Sequence, residues 1–161
     1  MPPIPRPSGQ PPRLTATLWP PAARLQGALR SGAVDDTVED VGPKPKLVGG
    51  GGTWLQLSGG MQHVCGIKST GEARCFGLGF HGQLGDGKRK DCRMSAPCAV
   101  AGGGTWREVA AGEYNTCGIK DNDAAYCWGE NVNGKHGNGK LAGFDAVPTP
   151  VAGGIKFGGL P

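Results

Sequence analysis

Residues 63–68 read His-Val-Cys-Gly-Ile-Lys, and 52 residues later residues 115–120 read Asn-Thr-Cys-Gly-Ile-Lys. At the same offset, and without a gap, other uncommon residues also match: Trp54 with Trp106, Cys75-Phe76-Gly77 with Cys127-Trp128-Gly129, and Gly82, Gly85 and Gly87 with Gly134, Gly137 and Gly139. So many coincidences do not arise by chance. The chain is therefore built from an internal repeat of about fifty residues.

Each repeat contains short apolar stretches separated by glycine, a pattern that predicts β-strands rather than helices. In the first repeat, residues 54–58 predict one strand, and residues 63–68 and 72–77 predict the two strands of a hairpin. In the second repeat the same hairpin falls at 115–120 and 124–129. Strands this short, joined by glycine turns and repeated, are typical of an all-β repeat fold.

The repeat divides the chain into predicted segments. These are a Pro/Arg-rich leader expected to be disordered at 1–26, a linker or the tail of a degraded repeat at 27–44, repeat 1 at 45–96, repeat 2 at 97–149, and the start of a third repeat at 150–161. The leader contains six prolines in its first twelve residues, which is unfavourable for an amphipathic helix. It also lacks the apolar core of a secretory signal peptide.

The combination of Cys127-Trp128-Gly129-Glu130-Asn131 with the glycine run Gly82-Gln83-Leu84-Gly85-Asp86-Gly87 resembles the regulator of chromosome condensation repeat. The likeness extends over roughly residues 45–157, with a fainter trace at 27–44. The resemblance implies four-stranded blades of a β-propeller, seven of which close a ring in the complete family fold. Two full repeats cannot close such a ring. We therefore expect a partial β-propeller, with two four-stranded blades and half-units at each end.

The six cysteines form three candidate disulfides: Cys65 with Cys75, Cys117 with Cys127, and Cys92 with Cys98. The first two pairs occupy the same repeat positions, and an antiparallel hairpin places their members opposite each other. Opposed residues at a non-hydrogen-bonded position lie about 4.5 Å apart, at the short end of the range that a disulfide accepts. Free buried thiols are the alternative. Zinc is disfavoured because these spacings differ from a Cys-x2–4-Cys knuckle.

Disulfides would indicate an oxidising compartment, which the leader does not support, so the localisation stays open. The sequence shows no constellation of catalytic groups, and we expect no catalytic residue, cofactor or resident metal. The three histidines have no nucleophile context. The glycine-rich stretches lack the Gly-Lys-Ser/Thr ending of a P-loop, and the literal G-x-G-x-x-G at 77–82 follows a hairpin and opens no helix.

The charge of the chain is +4, and the excess lies in residues 1–34, which contain four arginines and no acidic residue. The positive and negative charges of the rest of the chain balance, which argues against nucleic acid as a partner. No apolar run approaches the roughly 20 residues of a membrane span. The predicted function is therefore a non-enzymatic protein-interaction module, because loops on a rigid scaffold carry recognition.

The predicted contact residues lie in the loops: Phe80, His81, Gln83, Lys88, Arg89, Lys90, Arg93, Asn131, Asn133, Lys135 and His136. The resemblance implies an alternative, guanine-nucleotide exchange on a small GTPase, although the constant repeat length shows no inserted wedge. A further alternative is a fragment with no independent function. The identity of the protein partner is open, as is self-association or completion by additional repeats.

Overall fold

The two repeats fold as two four-stranded antiparallel sheets in a computed structural model that describes residues 48–154, 156 and 157. Blade 1 consists of β1 (Trp54–Gly59), β2 (His63–Lys68), β3 (Ala73–Gly77) and β4 (Cys98–Ala99). Blade 2 consists of β5 (Trp106–Ala111), β6 (Asn115–Lys120), β7 (Ala125–Glu130) and β8 (Phe144–Pro150). In both sheets neighbouring strands follow chain order.

This architecture confirms the predicted all-β fold with two four-stranded blades. The only helical elements in the described part are short 3-10 turns at Val132–Gly134 and Ala152–Gly154. None of its helices has the length and apolar character that a membrane crossing requires. The leader at 1–26 and the segment at 27–44 lie outside the described residues.

The central hairpin has the register that the sequence predicts in both repeats. Cys65 lies opposite Cys75, and Cys117 lies opposite Cys127. Blade 1 turns through Gly71, whose φ of +80° suits a residue without a side chain. Blade 2 makes the same turn with Asp123 at a φ of +65°, because aspartate tolerates the left-handed region better than most residues.

The blades pack face to face around one apolar core. Since side chains alternate along a strand, Cys65 and Ile67 of β2 point to one side of blade 1. They join a single buried cluster with Val109 and Trp128 of blade 2. The side chain of Gln56 reinforces the contact, because its amide donates to the carbonyl of Val109 (2.9 Å) and its oxygen accepts from the same residue's N–H (3.0 Å).

The far side of blade 2 is more open than the matching side of blade 1. Cys65 and Ile67 are 0% and 2% exposed, whereas their repeat mates Cys117 and Ile119 are only partly buried. At the end of the described chain, the N–H of Phe157 donates to the carbonyl of Asp123 (2.9 Å). Trp106 makes the equivalent bond to Gly71 one repeat earlier (2.8 Å).

Candidate interaction surface

The glycine-rich loop after β3 joins the two blades through its backbone. The carbonyl of Gln83 accepts two hydrogen bonds from blade 2, one from the hydroxyl of Thr116 and one from the indole N–H of Trp128, both 2.9 Å. Gln83 itself is fully buried, and its side-chain oxygen accepts from the N–H of His81 (2.9 Å). The prediction that Gln83 contacts a partner is therefore wrong, because this residue holds the blade interface together.

His63 is also buried in this interface. Its Nε2 lies 2.8 Å from the hydroxyl of Thr116. Because that hydroxyl donates to Gln83, it accepts from His63, so the ring carries its proton on Nε2. Burial lowers the pKa of His63 from 6.5 to about 4. His63 therefore serves as a neutral hydrogen-bond donor in the core.

The exposed part of the same loop and two aromatic residues of blade 2 together form what we call the basic–aromatic surface, which comprises Phe80, His81, Lys88, Arg89, Lys90, Tyr114 and Phe144. Phe80 and Phe144 are 52% and 48% exposed. Lys88, Arg89 and Lys90 are exposed as well, and His81 is partly buried. The structure thus places the predicted contact residues Phe80 and 88–90 where a partner can reach them. Arg93, two residues beyond Asp91, is also exposed.

Contacts between the two repeats build the basic–aromatic surface. The Nε of Arg89 donates to the carbonyl of Phe80 (2.7 Å), and its guanidinium lies 4.7 Å from the ring centre of Phe144 in blade 2. The His81 ring lies 4.7 Å from that of Tyr114 and 5.6 Å from that of Phe144. This geometry exists only when the blades are docked, because Tyr114 and Phe144 belong to repeat 2.

Tyr114 lies outside the contact loops predicted from the sequence, and Phe144 is the last residue of the predicted contact loop that begins at Asn131. Phe144 stands at the repeat position of Cys92, and Tyr114 stands at that of Gln62. At each of these two positions, an aromatic residue in repeat 2 replaces a non-aromatic residue in repeat 1. This departure from the repeat was the signal from which the two residues could have been found. Their meeting with His81 depends on tertiary packing, which a pattern within one repeat does not reveal.

The second predicted contact loop, after β7, is partly buried. Asn133 and Lys135 are exposed, as expected for contact residues. Asn131 and His136 are buried, which corrects their prediction as contact residues. The side-chain oxygen of Asn131 accepts from the N–H of His136 (3.0 Å), and Nδ1 of His136 lies 2.9 Å from a carboxylate oxygen of Asp145. Both side chains therefore shape the loop from inside.

All six cysteines lie in the pairs that the sequence suggests, with the sulfurs of each pair at disulfide distance. Cys92 forms an isolated β-bridge with Gly77, and Cys98 begins β4. The Cys92–Cys98 disulfide therefore closes the segment that carries the exposed Arg93. The Asp86 carboxylate lies within 4.8 Å of both of these sulfurs. Since the sulfurs are bonded to each other, they are not available as metal ligands.

The comparisons with known proteins agree with the repeat and the fold. The family model described as regulator of chromosome condensation (RCC1) repeat matches residues 106–135. No curated protein matches the sequence. Solved structures that resemble the chain include Prp20p from Saccharomyces cerevisiae, at 21% identity and a TM-score of 0.62, covering 79% of this chain and 32% of that one.

Human WBSCR16 is also similar, at 21% identity and a TM-score of 0.57, with 63% of this chain and 26% of that chain covered. Yeast RCC1 (Prp20) in a structure with bound Kap60 is similar at 20% identity and a TM-score of 0.55, with 67% of this chain and 26% of that one covered. At these identities the likeness shows the fold alone. The chain spans about a third or less of the length of these proteins.

Proposed function

Because the chain is built from repeats of the regulator of chromosome condensation type, we propose that it is a non-enzymatic protein-interaction module whose contact region is the basic–aromatic surface. The observation that carries this proposal is that Phe80 and three consecutive cations are exposed on a loop that hydrogen bonds fix to blade 2, where the exposed Phe144 contacts Arg89. The loop is fixed on the inside by Gln83 and along its edge by the N–H of Gly87, which donates to Ala146 of β8 (2.9 Å).

A rigid display of this kind suits recognition for an energetic reason. Ordering a mobile side chain on binding costs about 0.5–1.5 kcal/mol. Arg89 is already held between the carbonyl of Phe80 and the ring of Phe144, so part of that cost is met on folding. Arginine and tyrosine are among the residue types that dominate binding energy in protein interfaces, and phenylalanine is enriched in them.

The chain offers a matched control at the opposite rim of the blades. Arg107 donates to the carbonyl of Phe157 (2.5 Å), which again combines an arginine with an aromatic residue. Phe157 is 47% exposed, close to the 52% of Phe80. Arg107 is also paired with the carboxylate of Asp123, however, so its charge is compensated. Among the described residues, no carboxylate pairs with Arg89.

The experiment places a photo-crosslinking phenylalanine analogue at position 80 or at position 157 and identifies the proteins captured. We expect a defined partner to be captured from position 80 and not from position 157. Arg89→Ala and Phe144→Ala should reduce this capture, whereas Arg107→Ala should not. Equal capture from the two positions would contradict the assignment of the contact region to the basic–aromatic surface.

A second candidate is guanine-nucleotide exchange on a small GTPase. The structure of the yeast protein Prp20p, which this chain resembles, is described together with its binding to Gsp1p and histones. If this chain retains a related role, adding it to a panel of GTPases loaded with labelled nucleotide should accelerate release from at least one of them. No acceleration across the panel would exclude exchange by this chain.

A further inference from the structure

We propose that the basic–aromatic surface binds a short acidic segment of a partner protein, in which carboxylates flank an aromatic side chain. This inference rests on the proposed function, because it names the partner chemistry for the same surface. It follows from three features of the described residues: the local excess of positive charge, the fixed orientation of Arg89, and the position of acidic residues at one edge.

The two nearby carboxylates offset only part of the positive charge of 88–90, so residues 86–91 carry a net charge of +1. Asp86 accepts a hydrogen bond from the backbone N–H of Lys88 (3.0 Å), and Asp91 accepts one from the N–H of Gly79 (2.8 Å). Both carboxylates therefore hydrogen-bond the loop backbone, and residues 88–90 are all exposed. Such an exposed cluster attracts an acidic partner and orients its approach.

Arg89 is oriented to receive a carboxylate. Its Nε donates to the carbonyl of Phe80, and its guanidinium carbon lies over the ring of Phe144, 4.7 Å from the ring centre. The two terminal amino groups of a guanidinium form a planar fork that can bind both oxygens of a carboxylate. Phe80 contacts Arg89 through its backbone carbonyl and Phe144 contacts it through its ring, and both aromatic residues are about half exposed. An apolar side chain next to the bound carboxylate would therefore find aromatic contacts.

Acidic residues limit the surface on its other side. Glu130 lies 3.7 Å from Nδ1 of His81, and Glu113 is exposed next to Tyr114 in the chain. These carboxylates repel the phosphates of an extended nucleic acid, which needs a continuous basic track. They leave room for a short segment whose acidic residues meet 88–90 and whose aromatic residue meets Phe80 and Phe144.

The test measures binding of a fluorescein-labelled peptide, Asp-Glu-Phe-Glu-Asp, to the full chain by fluorescence anisotropy. We expect saturable binding that weakens about tenfold in Arg89→Ala and in the double variant Lys88→Gln/Lys90→Gln. Replacing the peptide's phenylalanine by alanine should weaken binding several-fold, as should Phe144→Ala. Arg107→Ala and Phe157→Ala, on the opposite rim, should leave the affinity unchanged.

A single-stranded oligonucleotide of the same net charge as the peptide is measured in parallel. Tighter binding of the oligonucleotide would overturn the proposal in favour of nucleic acid. Peptide binding that is indifferent to Arg89→Ala would also overturn it. If no peptide binds but position 80 still captures a protein by crosslinking, the acidic-segment proposal fails while the proposed function stands. If neither occurs, both fail. Circular dichroism of each variant shows that a lost affinity does not reflect unfolding.

Discussion

Replacing Gly85 by alanine tests how tightly the two repeats are docked. Gly85 has a φ of +69°, and a Cβ built on it would lie 2.6 Å from the indole nitrogen of Trp128 in the other blade. Its repeat mate Gly137 has a φ of +57°, but a Cβ there would meet only the side chain of Val151, at 3.3 Å. Gly137→Ala is therefore a control with the same backbone strain and without the blade contact.

The expected losses follow from these distances. The left-handed backbone costs about 1–2 kcal/mol for a residue with a Cβ, in both variants. In Gly85→Ala the indole must also move, which adds about 1–3 kcal/mol of overpacking. This movement weakens the bond from Trp128 to the carbonyl of Gln83, for about 1 kcal/mol more. We expect a loss of about 1–2 kcal/mol for Gly137→Ala and about 3–6 kcal/mol for Gly85→Ala.

The assay is urea unfolding followed by tryptophan fluorescence and circular dichroism. The double variant Gly85→Ala/Trp128→Phe provides a second measurement, because phenylalanine is the residue that repeat 1 has at this position, Phe76. We expect the two changes together to cost less than the sum of the single losses, since the smaller ring relieves the clash. Equal losses for Gly85→Ala and Gly137→Ala, together with additive double-variant losses, would refute the blade interface described above.

Two further predictions concern the interface core. Because the pKa of His63 is about 4 in the folded protein and 6.5 when exposed, the unfolded state binds the proton first, so stability should fall as the pH drops below 6.5. The loss should reach about 3 kcal/mol below pH 4. His63→Asn, which copies Asn115, should abolish this dependence in urea titrations at several pH values. A dithiol reductant should open the Cys117–Cys127 disulfide before the Cys65–Cys75 disulfide, since blade 2 covers the latter. Timed alkylation with mass spectrometry measures the order of opening. Simultaneous opening of the two disulfides would contradict this prediction.

The hairpins could be predicted from the sequence because their determinants are local. The register between β2 and β3 is specified by two local features: a turn residue that accepts positive φ, and a pair of cysteines whose spacing is the same in both repeats. The strand His63–Lys68 has the predicted bounds, and β3 begins one residue later than predicted. The same local features specify β6 and β7, which explains why the two hairpins have the same register.

The candidate site was less predictable because its residues meet only through docking of the blades. Gln83 and His136 lie in glycine-rich loops, and such loops usually expose their polar side chains. In the loop after β3, however, the backbone carbonyl of Gln83 hydrogen-bonds to Thr116 of blade 2, and this contact buries Gln83. Likewise, Phe144 reaches Arg89 because β8 of one blade passes the loop of the other. These contacts are long-range, and no spacing within a single repeat encodes them.

The measurement that tests the central claim most directly is a nuclear Overhauser spectrum of the oxidised protein. We expect strong Hα–Hα cross-peaks between Cys65 and Cys75 and between Cys117 and Cys127, whose Cα atoms lie 4.1 and 4.0 Å apart. We also expect cross-peaks between the His63 ring and the methyl group of Thr116, which join the two repeats. Cross-peaks within each hairpin but none between His63 and Thr116 would contradict this prediction, because the repeats would then fold without docking.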